Sequence, residues 1–432
     1  MTMEWFWPEG FYAIAMIVAF ALGSFALKLP IAIAMSAAAM LGAALAGFGF
    51  PLRHLVEGMF GYIDTILIIA TAMIFMNTVQ SIGLMESVAA LIIRKFRKSP
   101  LLLSIGLMFL VMLPGMLTGS STAGVLTTGA LVAPVMIKLG APVIKTAAFI
   151  AMGALLGMTA PPVNIPVMII GGGIDMPYVG FAIPLLIATV PLALLVVAIL
   201  AVPSLKKSGS IDEAALEEEL KRMESVPLTF RLFIPFIVLI VLMLGDQLFA
   251  GKIPSLGMPL QFLIASASAF LTGQRWNVLE SATEAVRDAI PVLGILMGVG
   301  MFIQIMTLTG VRGFVVVSAL AIPAWLLYVS IGLSLPAFGA ISSFGAASVL
   351  GVPFILALLS KDQIMVASGL ALIASLGDLV PPTALAGIFA AQVVGEKNYF
   401  KVLKYCVIPS IAIAVWGICM IIWANPIAAL IR

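Results

Sequence analysis

Leu113-Pro-Gly-Met-Leu-Thr-Gly-Ser-Ser-Thr122 lies inside a stretch, Leu101 to Ile137, that carries no charged residue. Its flanks are apolar, and Thr118-Gly-Ser-Ser-Thr122 interrupts them with small and hydroxyl side chains. The pattern recurs between Ala324 and Leu359, interrupted at Gly339-Ala-Ile-Ser-Ser343. Pro114 and Pro336 are 222 positions apart, as are Ser120-Ser121 and Ser342-Ser343. Beyond each interruption comes a double proline, Pro161-Pro162 and Pro381-Pro382, 220 positions apart. Such a pair removes backbone donors and stops a regular helix. Irregular backbone at membrane depth is tolerated only where protein or a wet cavity satisfies it. The spacing therefore predicts two re-entrant hairpins with cavity-lining tips, and two crossings, near 143–173 and 365–395, each broken at its double proline.

Working outward, the 432 residues are 62% hydrophobic and only 9% charged, against about 45–50% and about 25% in soluble domains. A soluble globule is excluded. Runs long enough to span the hydrocarbon core place full crossings near 10–27, 30–49, 62–82, 180–203, 232–250, 257–273, 290–309 and 405–425. With the two broken ones this makes about ten crossings plus two hairpins, an all-α polytopic membrane protein. Glu4 and Glu9 stand where a signal peptide would carry Lys or Arg, so the first apolar run reads as a retained helix with Trp5, Trp7 and Tyr12 in its aromatic belt.

Counted from an outside N-terminus, the basic residues fall on one side. Lys28, Arg94-Lys-Phe-Arg-Lys98, Lys138, Lys145, Lys206-Lys207, Lys221-Arg222, Arg275, Arg287, Lys397, Lys401 and Lys404 land inside, while Arg53, Lys252, Arg312 and Lys361 are exceptions. The expectation is a multi-pass protein of a bacterial inner membrane with a periplasmic N-terminus. The net charge of +3 and the lone His54 offer no basic stripe for nucleic acid. Cys406 and Cys419 share one predicted helix and suit neither a disulfide framework nor a metal site.

Residues 206–230 read as a cytoplasmic amphipathic linker helix, opened by the capping pattern Ser210-Ile-Asp-Glu213 before Leu216, Leu220 and Met223. It separates a first repeat, 1–205, from a second, 231–432. Gly83 with Gly310, and Pro30 with Pro259, extend the match at offsets of 227 and 229. Each repeat supplies five crossings, an odd number, so the second enters the membrane in the opposite sense. Two inverted repeats, each with a re-entrant hairpin and an interrupted helix, are the sequence sign of a secondary transporter with a midplane site.

Helix ends at the tips leave backbone groups without intrahelical partners, and hydroxyls add oxygen ligands. Carbonyls freed from Gly157 to Ala160 and from Gly377 to Val380 are expected to face the tips and complete an oxygen cage for Na⁺ as coupling ion. The positive ends of the half-helices suit an organic anion without a buried Lys or Arg. Asp378 is an ionisable group inside a predicted crossing, a position that reads as cation or proton coupling. Its counterpart Met158 shows that the fold does not require an acid there, and the plainer reading is a helix cap. Thr122, Asn164 and Thr383 complete the candidate substrate or coupling residues, with capping again the plainer reading for Asn164. Asn77, Gln80 and Gln304 read as interhelical contacts, and Glu57 and Asp64 as parts of a wet interfacial turn.

Gly119-Ser-Ser-Thr-Ala123, Leu131-Val-Ala-Pro134 with Lys138-Leu-Gly140, Gly157-Met-Thr-Ala-Pro-Pro162 running into Val167-Met-Ile-Ile-Gly171, and Leu379-Val-Pro-Pro382 resemble the large membrane subunit of the TRAP (tripartite ATP-independent periplasmic) transporters, within the ion-transporter superfamily. The similarity covers nearly the whole chain. It implies Na⁺-driven uptake of an organic acid, a C4-dicarboxylate or related carboxylate, by an elevator-type motion. It also implies a small membrane subunit and a periplasmic solute-binding protein as partners. By carry-over, Gly119, Ser120, Ser121, Gly157 and Pro161 would surround one Na⁺, and Ser342, Ser343, Gly377 and Pro381 a second. The chain departs from the family pattern at Gly124 and at Ser342-Ser343, where the family often has acids. The alternative is a self-sufficient Na⁺- or H⁺-coupled symporter, or an ion exchanger, on the same scaffold. No cofactor is expected, and no paired intramembrane acids or metal ligands support an intramembrane enzyme. Interrupted helices in inverted halves also suit alternating access better than a channel.

Overall fold

In a computed structural model the described residues are 7–206, 213–223, 229–249 and 254–431. Glu4, Trp5, Lys207, the Ser210-Ile211-Asp212 part of the capping pattern and Lys252 lie outside them. Among the described residues every regular element is helical, and seven helices are long and apolar enough to cross a membrane. The chain is a multi-pass membrane protein.

The chain opens with α1 (Pro8–Phe25) and α2 (Ile31–Leu45), followed by a short α3 (Leu52–Phe60) and then α4 (Ile63–Ser81). Gly83, at φ +75°, turns the chain into α5 (Leu84–Phe96). The first hairpin is α6 (Pro100–Thr118) and α7 (Ser121–Lys138). The first broken crossing is α8 (Val143–Thr159) and α9 (Ile165–Gly172), and α10 (Ala182–Leu205) closes this part. A linker helix, α11 (Glu213–Met223), leads to α12 (Ile234–Leu248), α13 (Gly257–Thr272) and α14 (Val278–Leu308). Gly310, at φ +77°, starts α15 (Val311–Ala321) as Gly83 starts α5. The second hairpin is α16 (Ala324–Gly339) and α17 (Ser343–Ala357), and the second broken crossing is α18 (Gln363–Leu379) and α19 (Leu385–Val393). The chain ends with α20 (Tyr399–Ile422) and α21 (Ala424–Ile431).

Both expected hairpins and both expected breaks are present. The short helices α3, α5, α15 and α21 were not anticipated: α3, α5 and α21 are amphipathic, and α15 is apolar but at eleven residues too short to span. Glu57 accordingly lies on α3, paired with Arg53 one turn earlier at 2.7 Å, rather than in a turn. The crossing expected at 290–309 starts twelve residues earlier. Asn277 caps it by accepting from the Glu280 N–H, and Glu280, Glu284, Arg287 and Asp288 make its first turns polar. At about 1.5 Å per residue it outreaches the roughly 30 Å hydrocarbon core.

Two groups of helices emerge from the packing. An outer frame sets α14 against α2, α3 and α4, with α1, α12 and α13 beside them. Small residues allow this closeness, since a side chain at Gly300 or Gly298 would strike the backbone of Gly58 or Ala32. The inner group joins the hairpins and broken crossings, with α10 and α20 against α8 and α18. Within it the ends of the broken crossings change places. α19 packs on α8 and α7, and α9 packs on α18 and α17.

The linker helix docks as its pattern predicts, with Leu216, Leu220 and Met223 buried against α5 and α7. Glu219 pairs with Lys138 at 2.6 Å and Glu217 with Arg94 at 3.1 Å. Leu220 is fully buried, so Leu220→Ala should weaken this docking by about 2–5 kcal/mol. Limited proteolysis should then cut α11 faster than in the parent, whereas Glu217→Ala, an exposed partner, should change the rate little.

Candidate functional site

At the first tip, Gly119 ends α6 at φ +66°, a conformation that an L side chain rarely adopts. Ser120 then caps α7, its hydroxyl accepting from the Ala123 N–H at 3.3 Å. Ser342 does the same for α17, accepting from the Gly345 N–H at 3.1 Å. Helix N-termini carry unpaired N–H groups, so serine in extended backbone is the residue that starts a helix there. After one turn each helix widens into a π-turn, Val125–Gly129 in α7 and Ala347–Gly351 in α17, again 222 positions apart. Such insertions are frequent at functional sites.

The residue after each cap points inward. The Ser121 hydroxyl donates to the carboxylate of Asp378, and Ser343 also hydrogen-bonds to it. Asp378 is only 6% exposed and sits on the 3-10 turn Leu376–Leu379 that ends α18. Among the described residues no lysine or arginine pairs with it. One buried acid thus joins the tip of the first hairpin, the tip of the second and the second break. Ser121 of one candidate cation group and Ser343 of the other meet at the same carboxylate.

Backbone contact sets the depth of each tip. A side chain at Gly157 would come within 2.3 Å of the Met112 carbonyl oxygen, and one at Gly377 within 2.5 Å of the Gly339 backbone. Each hairpin's first arm therefore lies directly on its broken crossing. Beyond the double prolines, whose internal peptide bonds are both cis, the loops tie back to the hairpins. The Val163 N–H donates to the Met116 carbonyl at 3.0 Å, and the Thr383 hydroxyl to the Ala340 carbonyl at 2.7 Å.

The carbonyls expected to be free are largely engaged. Gly157 accepts from the Ala160 N–H and Gly377 from the Val380 N–H, Thr159 accepts from the Asn164 amide, and Leu379 accepts from the Tyr399 hydroxyl. Each keeps a second lone pair for a ligand. Asn164, fully buried, spends its amide on Thr159 at 2.7 Å and its oxygen on the Val167 N–H at 2.9 Å. It caps α9, as the plainer reading had it. Its counterpart in the second break, Ala384, has no such side chain and takes φ +37°. Thr122, half-buried, stands one residue beyond the Ser121 contact.

Two tyrosines that composition did not mark out brace the breaks. Tyr178 donates to the Pro162 carbonyl at 2.9 Å and stacks on Phe181, and Tyr399 donates to Leu379. Their spacing from the double prolines, 16 and 17 residues, is the signal that could have found them. Tyr178→Phe leaves a carbonyl without its partner, at a cost of about 1–3 kcal/mol. It should lower the unfolding temperature in detergent, and an unchanged melting curve would remove the brace.

The model of the DctM component of tripartite ATP-independent periplasmic transporters matches residues 14–427. The chain belongs to this family. It is therefore the permease component of a TRAP-type secondary transporter, a transport protein rather than an enzyme. TRAP systems ordinarily work with a small membrane subunit and a periplasmic binding protein. The fold is similar to a solved structure described as the Alcanivorax borkumensis YdaH transporter of unusual topology. The TM-score is 0.61 at 17% identity, over 96% of this chain and 98% of that one. No curated protein matches the sequence significantly.

Proposed function

We propose that this TRAP permease carries a small organic anion, a C4-dicarboxylate or a related carboxylate, across the bacterial inner membrane together with Na⁺. The observation that carries the reading is Asp378, a buried acid with no basic partner among the described residues, held between serines of both tips. A buried carboxyl is either neutral or paired, and a bound cation would supply the pair. The surrounding oxygens of Ser121, Ser343 and the break carbonyls form a hard-ligand set of the kind an alkali cation takes. The first tip and break supply Gly119, Ser120, Ser121, Gly157 and Pro161, and the second Ser342, Ser343, Gly377 and Pro381. Asp378 supplies the charge that the family's missing acids would have brought.

The anion's carboxylate would sit near the positive starts of α7 and α17, with Thr122 and Thr383 as its proposed side-chain contacts. The recurring π-turns, cap serines and left-handed glycines support two inverted repeats, 1–205 and 231–432, joined by the 206–230 linker. The division into frame and inner group supports an elevator motion of the hairpins and broken crossings. The N-terminus is periplasmic, with the Arg94–Lys98 side in the cytoplasm. A small membrane subunit and a periplasmic binding protein complete the system.

The test is uptake of labelled dicarboxylates into proteoliposomes, with and without an inward Na⁺ gradient, first with this chain alone and then with the partner proteins added. Gradient-driven uptake that needs the partners is expected. Uptake by the chain alone would make it a self-sufficient symporter, and uptake indifferent to Na⁺ in both arrangements would overturn the coupling.

A further inference from the structure

A concave wall runs from the second break to the protein surface. It is made of two adjoining concavities that share Ile388, Lys397 and Tyr399: one is lined also by Pro381, Pro382, Ala384 and Asn398, the other by Ala391, Gln392 and Glu396. It opens on the basic side of the protein: Lys145, at the start of α8, stands 5.7 Å from the Tyr405 ring in the second turn of α20.

We propose that this cavity is a binding vestibule for a small carboxylate, with Lys397 as the charge that selects it. The inference rests on the carrier reading and names the place where the anion passes between the central site and the basic side.

The charges in the cavity decide its sign. Glu396 also lines it, but its carboxylate accepts from the Asn398 N–H at 2.9 Å and pairs with Lys401 at 3.3 Å. Those bonds, the backbone one first, hold it below the usual carboxylate range, so its charge is already engaged. Lys397 has no ion pair among the described residues. Asn398 spends its oxygen on the Phe400 N–H at 3.0 Å and keeps its amide N–H groups to donate. The positive end of the 24-residue α20 adds to the same field. Lys397 and Asn398 both line the concavity beside Tyr399, and an ammonium next to an amide donor suits a carboxylate.

The wall is also joined to the central site. The Tyr399 ring forms one side of the cavity, and its hydroxyl holds the Leu379 carbonyl, next in sequence to Asp378. A side chain at Gly387 would fall 2.2 Å from that ring, so the ring is seated on α19 with no slack. An anion against Tyr399 therefore touches a residue whose hydroxyl is bonded to the neighbour of the central acid.

The experiment uses the full chain with Cys406 and Cys419 replaced by alanine and Ile388→Cys as reporter. The rate of modification by the anionic reagent methanethiosulfonate ethylsulfonate is measured in acetate, succinate, citrate or glutamate, each against chloride at equal Na⁺ and ionic strength. At least one carboxylate should slow the reaction several-fold, and adding Lys397→Gln should abolish that protection. Gln392→Cys is a second reporter should Ile388→Cys fold poorly. Overturning results are protection by none of the four, or protection that survives Lys397→Gln. Uptake in proteoliposomes without protection would remove the vestibule and leave the carrier reading standing.

Discussion

Asp378→Asn should abolish cation-dependent uptake while the protein stays folded. The substitution keeps the size of the side chain and a hydrogen-bonding oxygen, so Ser121 and Ser343 retain a partner. What disappears is the acid, and with it the negative charge it would present to a bound cation. Interactions of a charged ligand in a buried site contribute about 3 kcal/mol, which corresponds to about a hundredfold in cation affinity. The measurement is the Na⁺ dependence of uptake in proteoliposomes, with size-exclusion chromatography as the check on folding. A half-saturating Na⁺ concentration like that of the parent would return Asp378 to the role of a helix cap. Ser121→Ala with Ser343→Ala should produce a smaller loss, because two neutral hydroxyls are removed and the charge remains.

Gly157→Ala and Gly377→Ala should each cost the protein its stable fold. The new methyl would sit 2.3 Å from the Met112 carbonyl oxygen in one case and 2.5 Å from the Gly339 backbone in the other. Neither obstacle can rotate away, since both are main chain within a helix. Overpacking of a tight interior costs about 1–3 kcal/mol and more where nothing yields. Lower yields and earlier thermal unfolding in detergent are expected for both. Gly313→Ala and Gly245→Ala are the controls, since a methyl at either position meets nothing within 4 Å. Alanine is favoured there by about 1 kcal/mol. If the site and control variants unfold together, close backbone contact does not set the depth of the tips.

The parts of this architecture that were legible in the sequence are those in which one residue type has few uses in a membrane. A double proline inside an apolar run breaks a helix, and paired serines, which singly would suit close packing of helices, mark an end when they recur at one offset with a double proline beyond each, so both tips and both breaks were placed. The amphipathic α3 and α5 were hidden because a hydropathy run registers what spans lipid and passes over what lies beside it, and the apolar α15 because it merges with the apolar run of the second hairpin. The meeting of Ser121 with Asp378 was equally hidden. Its partners are 257 residues apart, and no local pattern reports a contact between two halves. Asn164 shows the opposite difficulty: a polar residue after a break looks the same in sequence whether it faces a ligand or closes a helix end, and only its bonds to Thr159 and Val167 separate the two.

The exchange of ends between the broken crossings has a consequence for how such a chain is made. α9 rests on α18 and α17, so the surface it will cover does not exist while it is being synthesised. At about 5–20 residues per second, the ribosome needs roughly 10–40 s to deliver that surface. During that interval lipid or an insertion factor must shelter α9. The same geometry means that neither half is a finished object. A split gene cut in the linker should give two inert fragments that regain the fold only when they are made together.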